Sequence, residues 1–254
     1  MQLQSNNFFK YNSLKLIFIF CMMLISGNVI SQAKFIYSGK IEYERTANYA
    51  AIFGTSWQYY KDKIPQFKKQ YFDYVFDKNQ SVYKNGRTVD DEKYKAVGLV
   101  NDPEYYIYNN YDSGRTIATQ KAFDEDYLLK DSILKIQWRI TDETREIAGF
   151  DCRKAVGKVL DSIYVVAFYT EDIVPPGGPA NFSGLPGMIL GIGFPRMHYT
   201  LYATKLELTT ITPADLKPPS KGEKTDRKTL ITVLKNLSKS WGDQGPKYVL
   251  SMLF

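Results

Sequence analysis

The chain has 254 residues, of which 44% are apolar and 24% charged, and a formal net charge of +6, a composition typical of a globular protein. It contains one histidine and two cysteines, which excludes zinc sites built from several His or Cys ligands. A Ser-His-Asp arrangement would have only His198 to use. The composition therefore excludes several catalytic classes and indicates no particular reaction.

The amino end has the pattern of a secretory signal peptide, which we predict to comprise residues 1–33. Lys10 and Lys15 lie before or at the edge of the apolar stretch 16–25, and this region contains no acidic residue. Small residues stand at the minus-three and minus-one positions of the expected cleavage site, namely Ser31 and Ala33. The apolar run is shorter than the ~20 residues that cross a bilayer, so we predict no transmembrane span in the mature chain.

Export changes the charge and the cysteine count. The mature chain, residues 34–254, lacks two of the lysines and keeps a formal charge of +4, too weak a signal to indicate a nucleic-acid partner. Cys152 becomes its single cysteine, so no internal disulfide is expected. We interpret Cys152 as a small buried side chain; a reactive thiol, a soft-metal ligand and an intermolecular contact are the alternatives. The expected location is the periplasm or the cell surface, in association with the outer membrane.

The mature sequence predicts mostly antiparallel β-structure. Apolar and polar residues alternate from Phe35 to Glu44, which is typical of a strand with one wet face. A short helix follows, capped at Thr55 or Ser56 and ended by Pro65. The remaining patterns predict hairpins with turns at 78–80 and 112–114, a polar surface loop at 88–103, a central strand at 162–169, and further strands at 132–140, 145–147, 152–159 and 197–208.

A Pro- and Lys-rich connector, residues 212–224, precedes the strongest helix signal in the chain, at about residues 226–240. Thr225 or Asp226 can cap this helix, and one apolar stripe is formed by Leu230, Val233, Leu234 and Leu237. We expect the stripe to pack on the sheet; a detached helix that docks on another protein or a membrane is the alternative. The apolar carboxyl end, 248–254, is predicted to pack as a last strand or helical turn.

These elements predict a single mostly β (α+β) domain spanning residues 34–254. Its sheet would be antiparallel or a partly closed barrel or half-barrel, with the carboxyl-terminal amphipathic helix packed on it.

The segment 174–187 contains four prolines and four glycines between two apolar runs. Pro186 and Gly187 fit a type II turn, in which Pro fixes φ near −65° and Gly takes a positive φ. Long ordered loops often bind ligands, whereas Phe182 and Leu185 could instead plug the end of a barrel, and both interpretations stay open. The candidate ligand-binding residues are Gly178, Pro179, Phe182, Gly184, Leu185, Pro186 and Gly187.

Residues 184–190 read Gly-Leu-Pro-Gly-Met-Ile-Leu and differ by one substitution, Met188 for Leu, from the motif of the GLPGLI family of exported Bacteroidota proteins. The chain resembles this family from about residue 35 to about residue 208, and most specifically at 147–190. Other stretches that resemble family segments are 39–43, 76–83, 147–155 and 168–173. Residues 46–68 and those after 212 match no family pattern.

The resemblance implies a β-rich exported protein of unknown function. The family is often encoded near TonB-dependent outer-membrane receptors, which implies a role in envelope transport or ligand handling and an envelope protein or receptor as partner. It supplies no catalytic residue for this chain.

Two other constellations carry less weight. Cys152, Met188, Met197 and His198 are soft metal ligands, but Met197 and His198 are neighbours on a predicted strand and would point to opposite faces. We therefore predict no metal and no cofactor. The acidic runs 124–126 and 171–172 could supply a carboxylate pair for glycoside hydrolysis, although acidic turns are the commoner explanation.

The function predicted from the sequence is a non-catalytic, exported binding or accessory protein of the cell envelope. One alternative is a carrier of an apolar ligand or lipid in an open sheet around the helix. The other is a carboxylate-based hydrolase.

Overall fold

A computed structural model describes residues 35–89, 92–97, 104–122, 125–159 and 163–239. The chain divides into two compact units, residues 1–34 and residues 35–254. The predicted signal peptide and the apolar carboxyl end lie outside the described residues. None of the helices in the described ranges has the length and hydrophobicity needed to cross a bilayer.

One open sheet of twelve strands dominates the described residues, so the prediction of a mostly β fold is confirmed. The strand order is β12-β6-β5-β4-β3-β2-β1-β11-β10-β9-β8-β7. In chain order the strands are β1 (Ser38–Asn48), β2 (Phe67–Asp77), β3 (Gln80–Asn85), β4 (Tyr106–Asn110), β5 (Arg115–Ala122), β6 (Glu125–Ser132), β7 (Gln137–Ile147), β8 (Phe150–Val159), β9 (Ile163–Thr170), β10 (Met188–Phe194), β11 (Tyr199–Glu207) and β12 (Glu223–Thr225). All neighbours are antiparallel except β12 and β6, which pair in parallel and make the sheet mixed.

Local turn chemistry predicted the hairpins well. Strands β2 and β3 are joined at Lys78-Asn79, and β4 and β5 at residues 111–114, as expected. Strand β6 was not predicted: its first residues, Glu125 and Asp126, are exposed and acidic, and only Leu128 and Leu129 are buried. The predicted strand at 197–208 begins at Tyr199 instead, because residues 195–198 form the turn after β10.

Short helices occupy two loops. They are α1 (Tyr49–Phe53), α2 (Trp57–Tyr60) and α3 (Glu92–Ala96). The cap at Thr55 or Ser56 was wrong, since the chain becomes helical directly after β1 and the Asn48 side chain accepts a hydrogen bond from Ala51 N at 3.3 Å. Helix α3 lies within the stretch predicted as a polar loop, and its Tyr94 is buried.

The two faces of the sheet differ in chemistry. On the face that we call the core face, Ile41 and Tyr43 of β1 are fully buried in the main hydrophobic core. On the opposite, outer face, Glu42 and Glu44 pair with Arg87 and Lys69, each at 3.0 Å. The outer face near β1 and β2 is therefore a charged, partly solvated surface, and ligands of different chemistry would suit the two faces.

The carboxyl-terminal helix α4 (Arg227–Leu237) packs on the core face, as predicted. Asp226 caps it, because its side chain accepts a hydrogen bond from Thr229 N at 2.7 Å. Leu230 and Leu234 are fully buried, whereas Leu237 is 44% exposed. The buried stripe is thus shorter than the sequence pattern indicated.

Candidate functional site

The nominated residues lie in the segment 173–190, which we call the motif loop; it comprises most of the connection from β9 to β10 and the first three residues of β10. Most of it is buried: Phe182 and Leu185 belong to the main core, and Gly178, Pro179 and Gly187 are also covered. Gly184 and Pro186 are the exposed members of the nominated set. The motif loop therefore turns Phe182 and Leu185 inward, and its exposed positions are Val174, Pro176, Gly184 and Pro186.

Hydrogen bonds from distant strands hold the motif loop in place. Tyr43 Oη donates to Ile189 O at 2.6 Å, and Trp138 Nε1 donates to Ser183 O at 2.9 Å. Thr116 Oγ1 donates to Asn181 Oδ1 at 3.2 Å in the buried interior. Because these donors come from three different strands, moving the loop would leave several buried polar groups unpaired.

The turn at Pro186 differs from the predicted one. Gly187 has the expected positive φ, 134°, but its N–H donates to Leu185 O at 2.8 Å, which closes a three-residue turn centred on Pro186. The type II turn would need Met188 N to bond Leu185 O, and Met188 N instead donates to Ile173 O at 2.9 Å. A long-range bond has replaced the local one.

The soft-ligand and acidic constellations are dispersed. Cys152 and Met188 are fully buried in the core, whereas His198 is exposed at the turn after β10. No group of three or more His, Cys, Asp or Glu side chains that could hold a metal occurs within the described ranges. Glu125, Asp126, Glu171 and Asp172 are all exposed, and Asp124 lies outside the described residues.

Cys152 has the chemistry of a core side chain. Burial, with a smaller contribution from the charge of Asp151, raises the pKa of its thiol to about 12. Its Sγ donates to Phe150 O at 3.4 Å. The thiolate that would react or bind a soft metal is therefore strongly disfavoured in the folded protein.

A groove of about 300 Å³ opens on the outer face, where the ends of β1, β2, β10 and β11 meet. Thr46 pairs with Thr200, and Thr200 with Gly193, so these three positions form a row across the strands. We call this the outer groove; its lining residues are Thr46, Asn48, Phe67, Gly193, Phe194, Pro195, His198, Tyr199 and Thr200.

Gly193 creates the space in the outer groove. A Cβ built at this position would meet only Thr200 Cγ2, at 3.8 Å, so the backbone there accepts a side chain. Phe67 pairs with Asn48, and its ring is 49% exposed. His198 has a positive φ of 57°, and its carbonyl accepts from Asn48 N at 2.9 Å.

The chemistry of the outer groove suits binding of a small solute. Phe67 and Pro195 contribute apolar surface, while hydroxyls and an imidazole contribute hydrogen-bonding groups. Beside the groove, Thr46 Oγ1 donates to the Glu44 carboxylate at 3.2 Å. Partial burial acts to raise the pKa of Glu44, but hydrogen bonds from Tyr71, Lys69 and Thr46 outweigh it and hold that pKa below its ordinary value. Glu44 is therefore a fixed negative charge at the rim.

The outer groove could not be predicted from the sequence, because its residues come from strands that are distant in the chain. Of these residues, the sequence had pointed only to His198, as a metal ligand or as the one histidine available to a Ser-His-Asp arrangement. Phe67 was the one local indication of the groove, because it is an aromatic residue on the same, exposed face of β2 as Lys69. Extending the alternation of β2 back to residue 67 would have predicted this exposed ring.

Residues 157–191 match the model of a family described as a protein of unknown function (Porph_ging), a Bacteroidota-type family. The matched stretch runs from the end of β8 through β9 and the motif loop into β10. No curated protein matches the chain.

Two solved structures share the fold. Two structures of PNGF-II, in different space groups, are 15% and 16% identical to the chain and have TM-scores of 0.53 and 0.51 over 78% and 76% of it. The chain spans about a third of the length of these proteins, 33% and 31%. An uncharacterized conserved protein from Thermus thermophilus has a TM-score of 0.38 and 8% identity, with 75% of this chain and 91% of that chain covered. The chain therefore shares a stretch with a Bacteroidota-type family of unknown function and its fold with part of PNGF-II.

Proposed function

We propose that the chain is a non-catalytic, exported binding or accessory protein of the cell envelope, of the kind that the GLPGLI resemblance implies, and that it serves outer-membrane transport. The observation that carries this proposal is the outer groove, which combines an exposed aromatic ring, hydroxyl groups and an open floor at Gly193. Its occupant would be a small ligand or a side chain of an envelope partner.

The family match supports the envelope role. It covers 157–191, within the stretch where the GLPGLI resemblance is most specific, and it belongs to a Bacteroidota-type family. The leader pattern at residues 1–33 supports export.

The filled core favours this proposal over an apolar-ligand carrier. A carrier needs a large apolar cavity between sheet and helix. That space holds the protein's own side chains, since Phe182 and Leu185 of the motif loop and Leu230 and Leu234 of α4 belong to one buried cluster. For a hydrolase, the described acidic side chains at 125–126 and 171–172 are solvated on strand ends and turns.

Affinity capture from native envelope extracts tests the proposal with a variant that fills the outer groove. Gly193→Leu places a bulky side chain on its floor at a position where the backbone accepts a Cβ. Thr209→Leu is the matched control, because it adds the same side chain at an exposed position beyond the other end of β11. We expect a component that the parent and Thr209→Leu retain and that Gly193→Leu loses.

Equal capture by all three proteins would refute the role of the outer groove. Circular dichroism of each variant confirms that the fold is intact. Substitution of the motif loop is the weaker test, because a side chain on Gly187 would overlap the Thr170 carbonyl and disturb the fold itself.

A further inference from the structure

The core face of the sheet carries a guanidinium for which the described residues supply no counter-charge. Arg45 lies between Tyr43 and Ala47 on the core face of β1, while the neighbouring Glu44 points to the outer face and pairs with Lys69. Within the described part of the chain, no ion pair joins Arg45 to a carboxylate. Burying a charge without a partner costs free energy, so the position of Arg45 on the core face requires an explanation.

Tyrosines enclose Arg45. Its guanidinium carbon lies 4.5 Å from the centroid of the Tyr199 ring, and its Nη1 donates to Tyr105 Oη at 3.4 Å. Tyr83, whose ring centroid is 6.4 Å from that of Tyr105, completes the enclosure. Tyr83, Tyr199 and Tyr105 are 2%, 4% and 7% exposed, whereas Arg45 is only partly buried. The arginine is therefore the member of this cluster that a solute can reach.

Two hydrogen-bond donors of the cluster are unused. Arg45 Nε and Tyr199 Oη are both buried, and neither has a hydrogen-bond partner among the described residues. Burial acts to lower the pKa of Arg45, but the oxygens of Tyr105, Tyr199 and Tyr83 outweigh it and keep that pKa above its ordinary value. Burial raises the pKa of Tyr199, so its hydroxyl keeps its proton. The cluster therefore holds a permanent positive charge beside two buried donors to which no described residue offers an acceptor.

We propose that Arg45 and Tyr199 form a binding site for an oxyanion, the carboxylate or phosphate group of a small ligand. A guanidinium donates in a fixed planar fork that matches such groups, and a ring stacked on one of its faces holds that fork in position. Arg45 lies on the opposite face of the sheet from Thr46, which lines the outer groove, whereas Tyr199 borders both sites. The test of the site through Arg45 therefore does not depend on the function proposed for the groove.

Arg87 shows how a structural arginine of this chain is arranged. Its guanidinium carbon lies 3.1 Å from the centroid of the Tyr71 ring, and its Nε pairs with the Glu42 carboxylate at 3.0 Å. Stacking on an aromatic ring is not specific to Arg45, since Arg145 also lies over the rings of Phe168 and Tyr202, at 5.0 and 5.7 Å. Among the described residues, Arg45 is distinguished by a buried Nε without a hydrogen-bond partner, beside the buried Tyr199 hydroxyl that also lacks one.

Calorimetric titration with sodium phosphate and, separately, sodium acetate tests the site, with ionic strength held constant by sodium chloride. We expect saturable binding of at least one anion by the parent protein. Arg45→Met should lower the association constant about tenfold or more, because the charge is lost. Tyr199→Phe should lower it by a smaller factor while keeping the ring. Arg87→Met is the matched control and should bind like the parent.

The anion that binds identifies the ligand class, acetate for a carboxylate and phosphate for a phosphate group. Failure of both anions to saturate the parent would overturn the proposal, as would unchanged binding by Arg45→Met. If Arg45→Met does not fold, Tyr199→Phe decides, because it removes only an atom that has no partner among the described residues. Its unchanged affinity would then count against the site.

Discussion

Gly187 shows how strongly one residue can constrain the motif loop. Its φ of 134° lies in a region that residues with a Cβ rarely adopt, and a Cβ there would overlap the Thr170 carbonyl oxygen. The sequence predicted the need for glycine but not the reason for it. The need arises from close contact with the end of β9, whereas the pattern indicated only a turn.

Replacing Gly187 with alanine should destabilise the protein by about 3 kcal/mol, because backbone strain and steric overlap add. Gly114→Ala is the control: that residue has a φ of 63° but nothing within 4 Å of its added Cβ. Its cost should be about 1 kcal/mol, from backbone strain alone. Urea unfolding measures both losses. Equal losses would show that the overlap is relieved by movement of β9.

Cys152 should be unreactive in the folded protein. With its pKa raised to about 12 by burial, the thiolate fraction stays very small up to pH 9 and grows only as the pH approaches 12. We expect iodoacetamide to leave Cys152 unmodified at pH 8 and to modify it fully once guanidinium chloride unfolds the chain, as read by peptide mass. Modification of the native protein at the rate of a free thiol would contradict this burial.

The packing of the carboxyl-terminal helix α4 could be predicted only in part. Its apolar stripe was evident in the sequence, and its partner surface, the core face, could be inferred because one stripe requires one partner. The end of the stripe could not be inferred, since Leu237 follows the helical period but is exposed. Only the extent of the surface beneath the helix decides how many of its turns are covered.

Truncating α4 should therefore have unequal effects. Leu234→Ala removes a fully buried side chain and should lower the free energy of unfolding by about 3 kcal/mol, within the usual range for leucine in a core. Leu237→Ala should cost less than about 1 kcal/mol, because that side chain is largely exposed. Thermal and urea unfolding compare the two. Similar losses would show that Leu237 also makes a stabilising contact in the folded protein.

A carboxylate at the start of α4, that of Asp131, should make the free energy of unfolding depend on pH in the acid range. Partial burial acts to raise the pKa of Asp131, but hydrogen bonds from the backbone N–H groups of Arg227, at 2.9 Å, and Ser132, at 2.6 Å, outweigh it and lower that pKa below its ordinary 3.8. A carboxyl with a lowered pKa stabilises the fold above its unfolded pKa, and the contribution is lost as the pH falls through the folded value.

Asp131→Asn should thus destabilise the protein by on the order of 1 kcal/mol at pH 6. The difference between variant and parent should shrink as the pH falls through the folded pKa of Asp131, because the parent carboxyl then takes up a proton. Urea unfolding at pH 6 and at a series of lower pH values measures this difference. A difference that persists at low pH would mean that the hydrogen-bond geometry, rather than the charge, links β6 to α4.

Elements whose signals are local were predicted, and those that depend on distant contacts were not. The hairpins β2–β3 and β4–β5 follow from their turn residues. Helix α3 has no strong pattern of its own; its Tyr94 packs edge-on against the Tyr49 ring, with centroids 5.7 Å apart. Strand β6 is stabilised by antiparallel pairing with β5 along its full length and by parallel pairing with β12.

At the scale of the whole molecule, one open sheet uses its two faces differently. The motif loop and α4 fill the core face, and the outer face carries ion pairs and the outer groove. The alternation of apolar and polar residues predicted a β-rich chain, and the composition showed that it is short of catalytic residue types; neither prediction required a structure. The outer groove could not be predicted, because strand order places β1 between β2 and β11 and thereby gathers residues 46, 67 and 193.

Site-specific photo-crosslinking in intact cells tests the central claim, that the outer groove contacts an envelope component. Benzoylphenylalanine in place of Phe67 keeps an aromatic ring at the groove, and the same residue in place of Tyr164, a 51% exposed ring on β9, is the control. We expect a discrete adduct at position 67, absent at position 164 and absent when Gly193→Leu fills the groove. No adduct at position 67, or the same adduct at both positions, would contradict it.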